Sequence, residues 1–221
     1  MKQFTFMLTA SLMVFASFLV GNTVFADQGG RRVEITITNL TRNQIFSPPV
    51  VISHKKGFHL FELGQPANDQ LYPLAEDGET APLTDHLATL PSVHEFAVAG
   101  PVMPGTSVTL EVSTRGHFKY VTAAGMLVTT NDAFFAIRGV KVPFFGEKTV
   151  QAVAYDSGSE ANSESCNFIP GPPCGNPGVR DTTNAEGYVY IHAGIHGIGD
   201  LDASMVDWRN PVAEITIRPI H

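Results

Sequence analysis

Residues 32–39 read RVEITITN. Val33, Ile35 and Ile37 fall on one side of this stretch, and Glu34, Thr36 and Thr38 fall on the other. Period-two alternation in β-branched residues predicts a strand with one face buried and one wet. The same grammar recurs outward along the chain. PVVISH (49–54), VHEFAVA (93–99) and SVTLEVST (107–114) read as strands, the last with Val108, Leu110 and Val112 inward. HFKYVTAAGMLVTT (117–130) is long enough for a strand with a bulge at Gly125. FFAIRGV (134–140), TVQAVAYD (149–156), GYVYIHAGI (187–195) and VAEITIRPI (212–220) complete the set. Residues 64–90 differ: Leu83, Leu87 and Leu90 recur at helical spacing, so one or two short helices are expected, broken at Gly78. The expected fold is all-β, an antiparallel sandwich of about eight to nine strands with a short helical insertion.

The first 26 residues stand apart. Lys2 precedes the apolar run FMLTASLMVFASFLV, and VFA at 24–26 places small residues where a signal peptidase cuts. This pattern predicts a secretory signal peptide cleaved after Ala26, with a retained anchor as the alternative. No later segment is apolar enough to span a bilayer, so residues 27–221 are expected to form a single domain that is secreted or periplasmic. The formal net charge is −7 and no basic patch is expected, which argues against nucleic acid and for affinity to cations. Export is compatible with disulfides. The only cysteines, Cys166 and Cys174, flank the Pro-rich turn NFIPGPP and are expected to pair, worth about 2–3 kcal/mol at most. Two cysteines without a nearby histidine make a poor zinc site.

The local enzyme signatures are missing: no G-x-S-x-G, no H-E-x-x-H, no P-loop and no dinucleotide-binding glycine pattern. A hydrolase built from dispersed Ser, His and Asp remains an alternative, because a triad is a matter of geometry. The informative polar stretch is AYDSGSEAN (154–162), where Asp156 and Glu160 share one turn. A second loop, TTNDAFF, supplies Asn131 and Asp132. An acid pair in a turn is by itself more often solvated surface than ligand. Three carboxylates on neighbouring loops nevertheless suit calcium, which takes six to eight oxygens.

Several ordered segments together resemble the spondin N-terminal domain family. They are VEITITNLTRNQIFSPPVVISH, GPVMPGTSV, MLVTTNDAFFAIRGV, AYDSGSEANSE and DWRNPVAEITI, and they run from about Val33 to Ile217. The chain is most similar to the bacterial, secreted, single-domain members; the better-known animal member is F-spondin, an extracellular matrix protein. The resemblance implies a C2-like sandwich with a calcium ion held by loop acids, which carry over to Asp132, Asp156 and Glu160. Glu160 departs from the family pattern, in which an Asp is usual, and reaches one methylene further. Affinity would lie in the range of extracellular modules, about 10⁻⁴–10⁻³ M.

Two further constellations stand out. His192 and His196 lie four apart in YIHAGIHGIGD; a bend at Gly194 would bring them to one zinc or copper ion, and the alternative is hydrogen bonding within a Gly-rich turn. Trp208, the only Trp, and the Phe pairs 134–135 and 144–145 are either packing residues or partner contacts, with Phe134 and Trp208 the candidate contacts. Each Phe pair on a strand should put one ring in and one out. The expected function is a calcium-binding, non-catalytic extracellular binding or adhesion module, whose macromolecular or surface partner the sequence does not name. The rival reading is a zinc- or copper-binding protein using the His pair.

Overall fold

A computed structural model describes residues 30–220. The expected signal peptide, 1–26, lies outside the described residues. Strand β1 (Arg31–Asn39) is the segment first read from the sequence, and it alternates as expected, with Val33, Ile35, Ile37 and Asn39 buried. It pairs antiparallel with β4 (Ser107–Thr114) on one side and with β9 (Ala213–Pro219) on the other. The remaining strands are β2 (Val50–Lys55), β3 (Val93–Val98), β5 (Phe118–Met126), β6 (Ala133–Lys141), β7 (Lys148–Asp156) and the two-residue β8 (Tyr190–Ile191). Their hydrogen-bonded order is β3-β2-β5-β6-β7-β9-β1-β4, with β8 added on β7.

β7 is the hinge of this order. Its first half, Lys148–Ala152, pairs with β9, while Val153–Asp156 pairs with β6. The chain therefore changes layer within one strand, and an all-antiparallel sandwich results. The two outer edges come back together, where Glu95 of β3 accepts from the Ser113 N–H of β4 at 2.8 Å.

The core is double. Val33, Ile35, Ile37, Val112, Val121, Phe135, Ile137, Ile215 and Ile217 fill the space between the layers. Val50, Ile52, Ala124, Phe134, Ala136 and Tyr155 point away from it and are covered by a second cluster that includes Leu71, Leu74, Leu83 and Leu87. That cover comes from the insertion expected to be helical: α1 (Tyr72–Asp77) and α2 (Ala81–Thr89), separated by Gly78 at φ 69°. Leu83 and Leu87 are the buried residues of α2. A last short helix, α3 (Ala203–Val206), precedes β9.

The second core corrects the reading of the aromatic pairs. Phe134, expected as a candidate surface contact, is fully buried, as is Phe135, because the insertion covers the sheet face that a simple two-layer sandwich leaves wet. Phe144 and Phe145 are the opposite case: they sit beyond the end of β6, and both are exposed. Trp208, the other candidate contact, is 7 % exposed and belongs to the inter-layer core. The bulge expected at Gly125 lies instead between Val121 and Ala123. Gly125 stays in register opposite Phe135, whose ring occupies the space a Cβ would need. The strand expected over 187–195 shrinks to two residues, because Gly187 and Gly194 turn at φ 80° and 98°. The disulfide Cys166–Cys174 is present and closes the expected loop.

Candidate functional site

The strand register builds the acidic site. Ala133 of β6 faces Asp156 of β7, so Asp132, one residue earlier, enters the same end of the sandwich. Asp156 faces Tyr190 of β8 on its other side. Beyond Asp156 the chain turns at Gly158, φ 66°, where any Cβ would collide with the backbone of Tyr188. The turn returns its amides toward Asp132. Oδ2 of Asp132 accepts from the Ser157 hydroxyl at 2.8 Å, the Ser159 N–H at 2.8 Å and the Glu160 N–H at 3.1 Å. Its other oxygen, Oδ1, is buried and has no hydrogen-bond partner.

Asp156 is equally enclosed. Its Oδ1 accepts from the Gly158 N–H at 2.7 Å and its Oδ2 from the Asn162 amide at 2.6 Å. Asn162 also donates to the Tyr190 hydroxyl at 2.9 Å. Glu160 turns elsewhere: its Oε1 accepts from the Asp181 N–H at 2.7 Å. Asp132, Asp156 and Glu160 are all buried.

Burial governs the titration of all three. Desolvation raises the proton affinity of Asp132 against the lowering effect of its donors. Asp156 is raised by burial first and by the Asp132 charge second. Glu160 is pushed up to about 8, again mainly by burial. Among the described residues no Lys or Arg forms a salt bridge with any of them; Arg180 is engaged with Glu76. His192 lies 3.6 Å from Asp156 Oδ2 but supplies no charge at neutral pH, because burial depresses its own pKa to about 4.

The His pair separates into two roles. His192 is buried, its Nδ1 accepts from the Gly194 N–H at 3.0 Å, and Nε2 lies 3.2 Å from Asn162 Oδ1. That pattern assigns the proton to Nε2 and leaves neither nitrogen free. Its ring packs against Trp208, tilted by 44° with 5.0 Å between centroids. His196 is exposed, and its backbone N–H donates to the Glu164 carboxylate. Among the described residues no three His, Cys, Asp or Glu side chains converge where one metal ion could be held. The structure thus brings Asp132 and Asp156 together with neutral His192 beside Asp156, while the Glu160 carboxylate turns to Asp181 and His196 stays in solvent.

One Ser/His/acid set does assemble, at the β3–β4 edge. Ser113 Oγ lies 3.2 Å from His94 Nε2 and donates to Glu95. A hydrolytic triad needs the acid on the far nitrogen of the imidazole, and here the acid holds the serine instead.

Sequence reasoning missed Asn162 and Tyr190. Asn162 was legible in principle, being six residues after Asp156 in the same polar turn. Tyr190 carried no signal, because only the β7–β8 register places it beside Asp156. Among the described residues no helix is long and apolar enough to cross a membrane. No family model matches the chain, and no curated protein matches it.

Proposed function

We propose that the protein is a secreted or periplasmic, non-catalytic binding or adhesion module of spondin type, whose acidic loop end takes up calcium. The observation that carries this reading is the Asp132–Asp156 pair: two buried carboxylates that repel each other, one with an oxygen lacking any partner. Buried charges are ordinarily paired or bound to a metal. The candidate ligands at this end are carboxylate oxygens, among them the unpartnered Oδ1 of Asp132, which suits a hard cation better than zinc or copper. Asp132 and Asp156 would hold the ion, and Glu160 would brace the 181 loop through the Asp181 amide. Bound calcium would replace mutual repulsion by attraction and tie the β6 loop to the β7 turn.

The test is thermal melting of the mature chain with calcium and with chelator. Calcium at about ten times its Kd adds about 1.4 kcal/mol, or roughly 3–6 °C for a domain of this size. Asp156→Asn abolishes the rise. Identical melting curves in calcium and chelator overturn the proposal. Zinc or copper at stoichiometric level in freshly purified protein would favour the His reading instead.

A further inference from the structure

The far end of the sandwich carries a second, unlike surface. β6 ends at Lys141 and β7 begins at Lys148, and the connection between them reads VPFFGE. Phe144 and Phe145 are 74 % and 73 % exposed, the two most exposed large apolar side chains among the described residues. They pack edge to face at 4.5 Å. The Arg31 guanidinium sits 5.5 Å from the Phe144 ring centre. Arg31, Arg115, Lys119, Lys141 and Lys148 line one open cavity of about 590 Å³ with Phe144. Among the described residues Arg115, Lys119, Lys141 and Lys148 form no salt bridge. Glu147 is the only acid in the connection.

In a chain of net charge −7 this concentration of cations runs against the average. The basic patch that the linear sequence did not show is gathered here from the start of β1, the β4–β5 turn with the start of β5, and the facing ends of β6 and β7. Asp132 and Asp156 stand at the opposite ends of β6 and β7, about 25 Å away at strand rise. That exceeds the Debye length of about 8–10 Å, so the acidic end does not cancel the field at the basic end. Exposed neighbouring aromatics rimmed by cations match the chemistry of a bilayer interface. Rings settle at headgroup depth and cations meet lipid phosphates. A soluble polyanion would use the cations and leave the rings without a role.

We propose that the β6–β7 connection docks the protein on an anionic lipid surface, with Phe144 and Phe145 entering the headgroup layer and the five cations facing phosphates. The experiment is sedimentation of the mature chain with vesicles of phosphatidylcholine alone and of phosphatidylcholine with phosphatidylglycerol. Chelator is kept present throughout, so that calcium bridging from the acidic end cannot contribute. Binding is expected only to phosphatidylglycerol vesicles and should weaken as salt rises. Phe144→Ser with Phe145→Ser lowers partitioning about tenfold or more. Lys119→Glu, Lys141→Glu and Lys148→Glu together remove it, and melting confirms that each variant is folded. No binding to phosphatidylglycerol vesicles overturns the proposal. So does a Phe variant that binds like the parent, and so does retention on heparin without sedimentation on vesicles, which would assign the cations to a soluble polyanion.

Discussion

Asp132 concentrates the physics of the site in one side chain. One carboxylate oxygen gathers four donors from three loop residues and so shapes the 157–160 turn, while the other has none. An amide keeps an acceptor for those donors and removes the charge facing Asp156. In chelator at pH 8, Asp132→Asn is therefore expected to melt at or above the parent, by a gain of order 1 kcal/mol. In calcium it melts below the parent. Paired melting curves read both signs, and a large loss in chelator would show that the ionised carboxylate itself stabilises the turn. Gly158 is fixed for a different reason, since its positive φ and the Tyr188 backbone together leave no place for a side chain.

The element that most changes the expected architecture is the helical insertion. Its sequence showed helical spacing at Leu83 and Leu87 but gave no indication of which surface they would cover. The insertion covers the outer face of the β3-β2-β5-β6 layer, with α1 over β5 and β6 and α2 against β3, and this is why Val50, Ile52, Ala124, Phe134 and Ala136 are buried opposite the inter-layer core. Leu83→Ala or Leu87→Ala is expected to cost about 2–5 kcal/mol, as a cavity in a packed interior does. Urea unfolding measures this, and a cost under about 1 kcal/mol would mean that α2 is a detachable cover. Strand β8 teaches the converse. Its nine-residue pattern promised a full strand, but Gly187 and Gly194 at positive φ lead the chain away from the sheet, and only Tyr190 and Ile191 pair with β7.

At the scale of the whole molecule, the buried ionisable groups predict a pH dependence. Glu160 has an ordinary pKa of 4.5 that folding raises to about 8. The folded state then holds the extra proton between those values, so the Glu160 contribution to metal-free stability is full below about 4.5 and is lost as pH rises through about 8. Asp132 and Asp156 are shifted in the same direction. His192 works oppositely: its pKa falls from 6.5 to about 4, so its contribution is present above 6.5 and is lost below. His54 and His94 are also lowered. The window from pH 6.5 to 8 therefore belongs to the acids. In chelator the melting temperature is expected to fall across that window, and in calcium the fall should flatten. A flat profile in chelator would mean that the carboxylates are ionised and compensated without metal.

The alternation of RVEITITN and its successors was enough for an all-β antiparallel chain, because side-chain period is a local property of the backbone. The helical insertion, its break at Gly78 and the pairing of Cys166 with Cys174 were local in the same sense. AYDSGSEAN and TTNDAFF marked an acidic end, since both acids lie at strand termini. The tertiary structure alone decided which acids meet. Asp132 joins Asp156 through the β6–β7 register, while Glu160 turns to Asp181, a partner 21 residues on. It alone buried Phe134 and Trp208 and left Phe144 and Phe145 in water. It also collected a cationic patch from segments that are far apart in a chain of negative charge. Periodicity is written between neighbours, whereas registers, layers and fields arise from residues that meet only after the sheet has closed.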